Sequence, residues 1–402
     1  MQNKTLGSTL IVAGTTIGAG MLAMPLTSAE MGFGMTLTLL IVLWLLLSYS
    51  ALLFVELYQR APATDSGIAT LAEEYFGIAG RVLATLSLVI FMYAILTVYS
   101  LGGGNLLAPF LEFAGENAEK IAIIGFVTVF AIAVTVGTGA VDGVTRLLFI
   151  GKLIAFALVL FTMLPKVTLE NLGAMPLHHF LIISASPVFF TSFGFHVAIP
   201  SINKYLDGDV RRLRFAIIAG TAIPLVAYIL WQMATHGVFS QMQFVEIIRK
   251  DPTLNGLVEA TFQATGSSFI SGSVRIFSAL ALITSFLGVS LSLFDCLDDL
   301  LKRVNVKANR IVLGLLTFVP VLAFALFYRD FLAVLSYAGQ MFTFYGLVLP
   351  VAMVWVARKR YPDMPYRVAG GSIALILALV LGLIIINVPF LIEAGLLPKV
   401  VG

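Results

Sequence analysis

Long apolar runs separated by short polar segments dominate the chain. A helix needs about 20 mainly apolar residues to cross a bilayer, and eleven runs have about that length. The predicted spans are residues 6–29, 33–57, 82–111, 120–138, 146–165, 180–202, 213–236, 270–296, 310–328, 331–356 and 371–393. Strands of a membrane barrel alternate in hydropathy over only about ten residues. The pattern therefore predicts an all-α polytopic membrane protein with eleven transmembrane helices.

The first predicted span contains an unusual run of small and β-branched residues. It reads Gly14-Thr15-Thr16-Ile17-Gly18-Ala19-Gly20. Each glycine costs about 1 kcal/mol against alanine in a helix, and β-branched residues are also weak helix formers. Non-helical backbone at membrane depth is tolerated only inside protein or beside a water-filled cavity, so a break here would indicate a binding site made of backbone. The alternative is helix packing, because Gly14 and Gly18 form a G-x-x-x-G face.

The spacing of the spans predicts an internal repeat. Spans 2–5 and spans 7–10 start at offsets of about 180 to 190 residues, and five spans per unit reverse the direction of the second copy. We therefore expect one transport domain over residues 1–402. It would contain a five-helix repeat at 6–165, an inverted repeat at 180–356 and an extra helix at 371–393.

The inverted repeat makes span 6 the partner of span 1, so span 6 should also be broken. It contains Pro187 and Pro200 on either side of a polar, glycine-containing centre at residues 191–196. Proline in a helix interior removes a backbone hydrogen bond. Interrupted segments at matching positions in two halves are the best sequence pointer to a transport site, which favours a binding site over simple packing in span 1.

Two half-helix ends suit a zwitterionic ligand such as an amino acid. Amides at the start of a half-helix would bind its carboxylate, and carbonyls freed where a half-helix ends would bind its ammonium. The predicted amides are those of Gly18, Ala19 and Gly20, and the predicted carbonyls lie around Thr15, Thr16 and Phe193.

The predicted side-chain pocket is aromatic. Its candidate residues are Tyr93, Phe193, Gly194, Phe195 and His196. The phenylalanines could stack on an aromatic substrate, although core packing is the alternative in a chain with 31 Phe. An ionisable residue at mid-membrane indicates function by default, but His196 could also satisfy a local carbonyl.

Ion coupling is predicted at Lys152 and at three residues of span 8. Lys152 lies about 10 Å deep in span 5 at 1.5 Å per residue. It could replace a coupling cation and titrate, or its side chain could snorkel to the headgroups. Ala281, Thr284 and Ser285 could coordinate sodium or bind that ammonium, although hydroxyls in a span often bond to their own helix.

Composition and charge agree with a membrane transport protein. Apolar residues make up 59% and charged residues 11% of the chain, against about 25% charged in soluble domains. With the N-terminus in the cytoplasm, sixteen of the 24 Lys and Arg residues lie in inside segments and seven in outside segments. The positive-inside rule then places the N-terminus in the cytoplasm and the C-terminus in the periplasm, so the basic charge does not indicate a nucleic-acid partner.

Several function classes are disfavoured by the residues that the chain carries. A single cysteine, Cys296, gives no internal disulfide and no Cys-rich metal site. There is no H-E-x-x-H sequence, and the four histidines are scattered, which argues against a membrane-embedded enzyme. We expect no cofactor, no metal and no obligate protein partner. A passive channel remains an alternative.

The chain resembles the aromatic amino-acid permease family from about residue 3 to the C-terminus. The most specific matching segments are residues 14–25 and 191–196, with weaker support from 224–228, 284–288 and 366–371. The resemblance implies a leucine-transporter-type fold with helices 1 and 6 broken, a bacterial inner-membrane location and tyrosine import with protons. It also implies that Lys152 and the Ala281-x-x-Thr284-Ser285 pattern lie where relatives of that fold hold sodium. Tryptophan or a broader range of aromatic substrates, and sodium coupling, remain alternatives.

Overall fold

The computed structural model describes residues 4–400 and, within that range, every side chain except those of residues 112, 138–144 and 146. The described chain is helical. Its α-helices are α1 Lys4–Thr16, α2 Gly20–Ser28, α3 Gly32–Tyr58, α4 Ile68–Leu107, α5 Ala118–Val136, α6 Thr138–Met163, α7 Leu169–Leu172, α8 Leu181–Ser184, α9 Ser186–Ser192, α10 Ile199–Tyr205, α11 Val210–Val238, α12 Gln241–Lys250, α13 Leu254–Thr265, α14 Ser268–Arg303, α15 Arg310–Phe327, α16 Phe331–Thr343, α17 Leu349–Arg360 and α18 Gly371–Glu393. A π-helical segment, Phe344–Val348, joins α16 to α17.

Most of the predicted spans correspond to single helices. Within residues 4–400, nine helices are long and apolar enough to cross a membrane, or ten when α1 and α2 are taken together as one bent span. These account for every predicted span except 180–202, which is divided into α8, α9 and α10. None of those three helices has the length of a span, so the total of eleven stays a prediction.

The predicted break in span 1 is present. Helix α1 ends at Thr16, α2 begins at Gly20, and their axes differ by 50°. The three residues between them are not helical. The weak helix formers at 14–20 therefore coincide with a real interruption of the span.

Span 6 is interrupted as well, and its prolines act differently from the sequence expectation. Pro187 lies in the first turn of α9 and Pro200 in the first turn of α10. Proline is favoured there because the first turn leaves its N–H groups unbonded anyway. The prolines thus start the half-helices, and the non-helical residues 193–195 separate them.

Helix α4 differs from its predicted bounds. The sequence places span 3 at 82–111, but α4 begins at Ile68 and contains a kink at Gly77, whose φ is 64°. A positive φ is readily adopted only by glycine. The segment before the kink is too polar to continue an apolar run, which is why hydropathy alone missed it.

The long loop between spans 7 and 8 forms two helices, α12 and α13. Phe244 and Ile248 of α12, and Leu254 and Leu257 of α13, are buried against the bundle. These apolar positions therefore lie on packed faces of two short amphipathic helices.

The broken spans lie inside the bundle. Helix α1 packs on α11, and α2 packs on α9. Helix α14 packs on both α6 and α4, and α16 packs on α4 and α9. Helices α6, α11 and α14 each supply a side chain that hydrogen-bonds to a backbone group at the break in span 1.

Candidate functional site

Lys152 of α6 is directed at the break in span 1. Its side chain is only 2% exposed. The Nζ atom donates a hydrogen bond of 2.7 Å to the carbonyl oxygen of Ile17 and lies 4.5 Å from the ring centroid of Phe149. A snorkelling lysine would extend away from the protein core. Here the ammonium instead binds a carbonyl that the interrupted helix leaves free.

Among the three predicted residues of span 8, only Ser285 reaches the break through its side chain. Its Oγ accepts a hydrogen bond of 3.1 Å from the amide of Ala19. A Cβ atom at Gly18 would lie 3.0 Å from the same oxygen. Thr284 donates to two carbonyls of its own helix, at 2.9 and 3.1 Å, and the second of these belongs to the buried Ala281.

Of the three amides predicted to bind a carboxylate, one already has a hydrogen-bond partner. Ser285 already binds the amide of Ala19. Within residues 4–400, the amides of Gly18 and Gly20 form no hydrogen bond, so these two donors remain for a carboxylate. A Cβ atom at Gly20 would lie 2.8 Å from Oγ and 3.0 Å from Cα of Ser192. Glycine at this position lets α2 approach α9.

Tyr228 of α11 joins the two breaks, and sequence reasoning missed it as a site residue. Its hydroxyl oxygen lies 2.7 Å from the carbonyl oxygen of Thr16 and 2.7 Å from that of Ser192. These residues end α1 and α9. The Tyr228 ring also meets Phe193 edge-on, with centroids 5.0 Å apart. The family-like segment at 224–228 was the one signal that could have drawn attention to this side chain.

The side chains of Thr15 and Tyr93 do not bond to backbone groups of the breaks. The carbonyl of Thr15, to which the prediction refers, lies one residue before the end of α1. The exposed Thr15 side chain donates back to its own helix. The Tyr93 hydroxyl donates to the carbonyl of Leu316 on α15, at 2.7 Å. Phe193, Gly194 and the buried Phe195 do lie in the interruption of span 6.

His196 follows the interruption of span 6 and is fully buried. Its Nε2 lies 3.2 Å from Oγ of Ser50 on α3, and the Ser50 hydroxyl donates to the carbonyl of Gly346 in the π-helical segment. The serine has one proton, so Nε2–H is the donor to Ser50. The ring also packs edge-on against Phe54 and Phe342. His196 therefore links span 6 to α3 and to the end of α16.

A cavity of about 200 Å³ lies apart from these residues, between α9, α16 and α18. Its wall includes Val188, Tyr337, Glu393 and Lys399, and none of the predicted site residues. The candidate site is therefore defined by freed backbone groups and by the polar side chains directed at them.

An apolar helical bundle with freed backbone groups at two interrupted spans has the architecture of a membrane transport protein. The chain matches the family model of the tryptophan/tyrosine permease family over residues 1–389. It belongs to that family, as the sequence resemblance indicated. The protein is thus a multi-pass, membrane-embedded amino-acid permease, and it is not an enzyme.

Relatives with sequence similarity match all or nearly all of the chain. It is 58% identical over 403 residues to "Tyrosine-specific transport system 1" of Haemophilus influenzae, with 100% of both chains covered. It is 33% identical over 392 residues to the "Tryptophan-specific transport protein" of the same species, with 94% of each chain covered. Among solved structures, the manganese transporter of Eremococcus coleocola is similar in fold, with a TM-score of 0.63 at 13% identity, covering 97% of this chain and 86% of that one.

Proposed function

We propose that this permease imports tyrosine across the bacterial inner membrane by proton symport, through alternating access around broken helices 1 and 6. The observation that carries the proposal is the meeting of both breaks at one point, within 2.7 Å of the Tyr228 hydroxyl. The much higher identity to a tyrosine-specific than to a tryptophan-specific relative supports tyrosine. Eleven spans in a leucine-transporter-type 5+5 inverted repeat, with a cytoplasmic N-terminus and a periplasmic C-terminus, complete the proposal.

The substrate would lie between the two breaks. Its carboxylate would accept hydrogen bonds from the amides of Gly18 and Gly20. Its ammonium would bind the carbonyls of Thr16 and Ser192, where α1 and α9 end. The aromatic side chain would pack against the buried rings of span 6, including Phe195. Backbone groups would thus recognise what all amino acids share, and side chains would select tyrosine.

Coupling is required for uphill import of a zwitterion, since it has no net charge on which the membrane potential can act. One co-transported cation contributes about 2.3 kcal/mol per 100 mV, or roughly fiftyfold accumulation. Lys152 suits proton coupling because its ammonium binds the carbonyl of Ile17 inside the break. Gain or loss of its proton would therefore change the hydrogen bonding of the interrupted segment. Sodium is the runner-up, with Ser285 and Thr284 as ligands, since each hydroxyl oxygen keeps a lone pair beside its present hydrogen bond.

Radiolabelled tyrosine uptake into proteoliposomes tests this function. We expect accumulation above equilibrium when an inward proton gradient is imposed, and competition by unlabelled tyrosine that exceeds competition by tryptophan, phenylalanine or serine. Accumulation driven by sodium and not by protons would overturn the coupling assignment. Stronger competition by tryptophan would favour a tryptophan or broad aromatic permease, and equilibration without accumulation would indicate a passive channel.

The Lys152→Ala variant tests the coupling residue. It should lose proton-driven accumulation while it retains exchange of external for internal tyrosine, because exchange needs no net proton movement. Lys166→Ala is a matched control, since Lys166 is an exposed lysine close to the end of the same predicted span. Normal accumulation by Lys152→Ala would rule out Lys152 as the coupling site.

A further inference from the structure

The Tyr228 hydroxyl has one proton but lies beside two hydrogen-bond acceptors. A tyrosine hydroxyl carries one proton and can accept further hydrogen bonds. The oxygen lies 2.7 Å from two carbonyl oxygens, those of Thr16 and Ser192. At any moment it donates to one of them, and the second carbonyl is left facing an oxygen atom with no proton between them. An additional donor at this point would bind both the free carbonyl and the phenol oxygen.

The surrounding groups favour a cationic donor. Within residues 4–400, neither carbonyl has a hydrogen-bond partner other than Tyr228. The Thr16 carbonyl lies at the C-terminal end of the 13-residue helix α1, where the helix dipole is negative. The nearby ammonium of Lys152 is bound to a different carbonyl, that of Ile17. The acceptors at Thr16 and Ser192 are therefore left for a cation from outside the chain.

We propose that Tyr228 is a substrate-binding residue. Its phenol oxygen, together with whichever of the Thr16 and Ser192 carbonyls it does not donate to, binds the ammonium group of the amino-acid substrate. A primary ammonium has three N–H donors. One would bond to the carbonyl that Tyr228 leaves free and another to the Tyr228 oxygen. Tyr228 itself keeps its proton on the other carbonyl, so both breaks remain joined when the substrate is bound. This inference rests on the proposed function, because it requires an amino acid bound between the two breaks.

The test compares two competitors that differ only in the ammonium group. Tyrosine and 3-(4-hydroxyphenyl)propionate share the carboxylate and the phenol, but the second compound has no amine. Their inhibition of radiolabelled tyrosine uptake is measured in proteoliposomes with wild-type protein and with Tyr228→Phe. This variant keeps the ring against Phe193 and removes only the hydroxyl.

We expect Tyr228→Phe to weaken tyrosine binding by about ten- to a hundredfold, the range for loss of a hydrogen bond to a charged group. Inhibition by the propionate should stay unchanged. Equal weakening of both competitors, or a lower maximal rate with the KM for tyrosine unchanged, would show that Tyr228 only holds the breaks together and would overturn the inference. Tyr58→Phe is the control, since its hydroxyl also lies 2.7 Å from a carbonyl, that of Ser66, away from the breaks.

A second substitution tests the same inference if the Tyr228→Phe variant does not fold. Incorporation of 2,3-difluorotyrosine at position 228 keeps the hydroxyl but makes its oxygen a weaker acceptor. Tyrosine affinity should then fall relative to that of the propionate, and an unchanged ratio would contradict the inference. Failure of the wild-type protein to take up tyrosine would instead refute the proposed function, so the two failures are distinguishable.

Discussion

Substitution of Gly20 by alanine tests the close packing of the two broken spans. Gly20 is the first residue of α2 and faces Ser192, the last residue of α9. A Cβ atom at Gly20 would lie 2.8 Å from Oγ, 3.0 Å from Cα and 3.2 Å from Cβ of Ser192. Rotation of the serine side chain would relieve only the first of these contacts. The backbone contact would force α2 and α9 apart.

The size of the effect follows from these distances. Carbon atoms pack at about 3.5 to 4.0 Å, so the helices must separate by roughly 0.5 Å or more at this point. Added methyl groups in a packed core cost about 1–3 kcal/mol, and the lower chain entropy of alanine offsets about 0.4–1 kcal/mol of this. We expect a net loss of about 0.5–2 kcal/mol in the free energy of unfolding.

Thermal unfolding of purified protein in detergent, together with proteoliposome uptake, measures the outcome. Gly20→Ala should melt below wild type and transport tyrosine more slowly, because the acceptors at the two breaks move apart. Gly288→Ala on α14 is the control, since nothing lies within 4 Å of a Cβ there, and it should melt at or above the wild-type temperature. If Gly20→Ala is as stable and as active as Gly288→Ala, the close approach of α2 and α9 is refuted.

Two further substitutions test contacts at and away from the breaks. Glu56 is fully buried and binds Arg358 through both carboxylate oxygens, at 2.7 and 2.8 Å. Glu56→Gln should therefore lower the free energy of unfolding by about 3–5 kcal/mol, because it leaves a buried charge without its partner. The double variant Glu56→Gln with Arg358→Met should recover much of this loss in the same melting experiment. No recovery would contradict a charge effect. Ser285→Ala leaves the amide of Ala19 without its partner, which should cost about 1–3 kcal/mol; an unchanged melting temperature would show that this hydrogen bond is not formed.

Local sequence was enough to predict most of the spans and both breaks. Apolar runs as long as a bilayer is thick can only be membrane helices or buried ones, and nine of the predicted spans are single long helices. The run at residues 14–20 is poor in helix-forming residues, and the break lies within it. The prolines of span 6 marked an interruption, although they start helices and do not bend one. Hydropathy failed at Gly77 because the helical segment before it is polar.

The sequence by itself determined the class of protein and the places where two spans are interrupted. The tertiary structure decided which side chains reach the backbone groups at these interruptions. Along the chain, Tyr228 is about 210 residues from Thr16, and Ser285 is about 270 residues from Ala19. Neither side chain differs in hydropathy from the other tyrosines and serines of the chain. A hydrogen bond depends on atoms placed within about 3 Å of each other, and only the packing of α6, α11 and α14 around the breaks sets those distances.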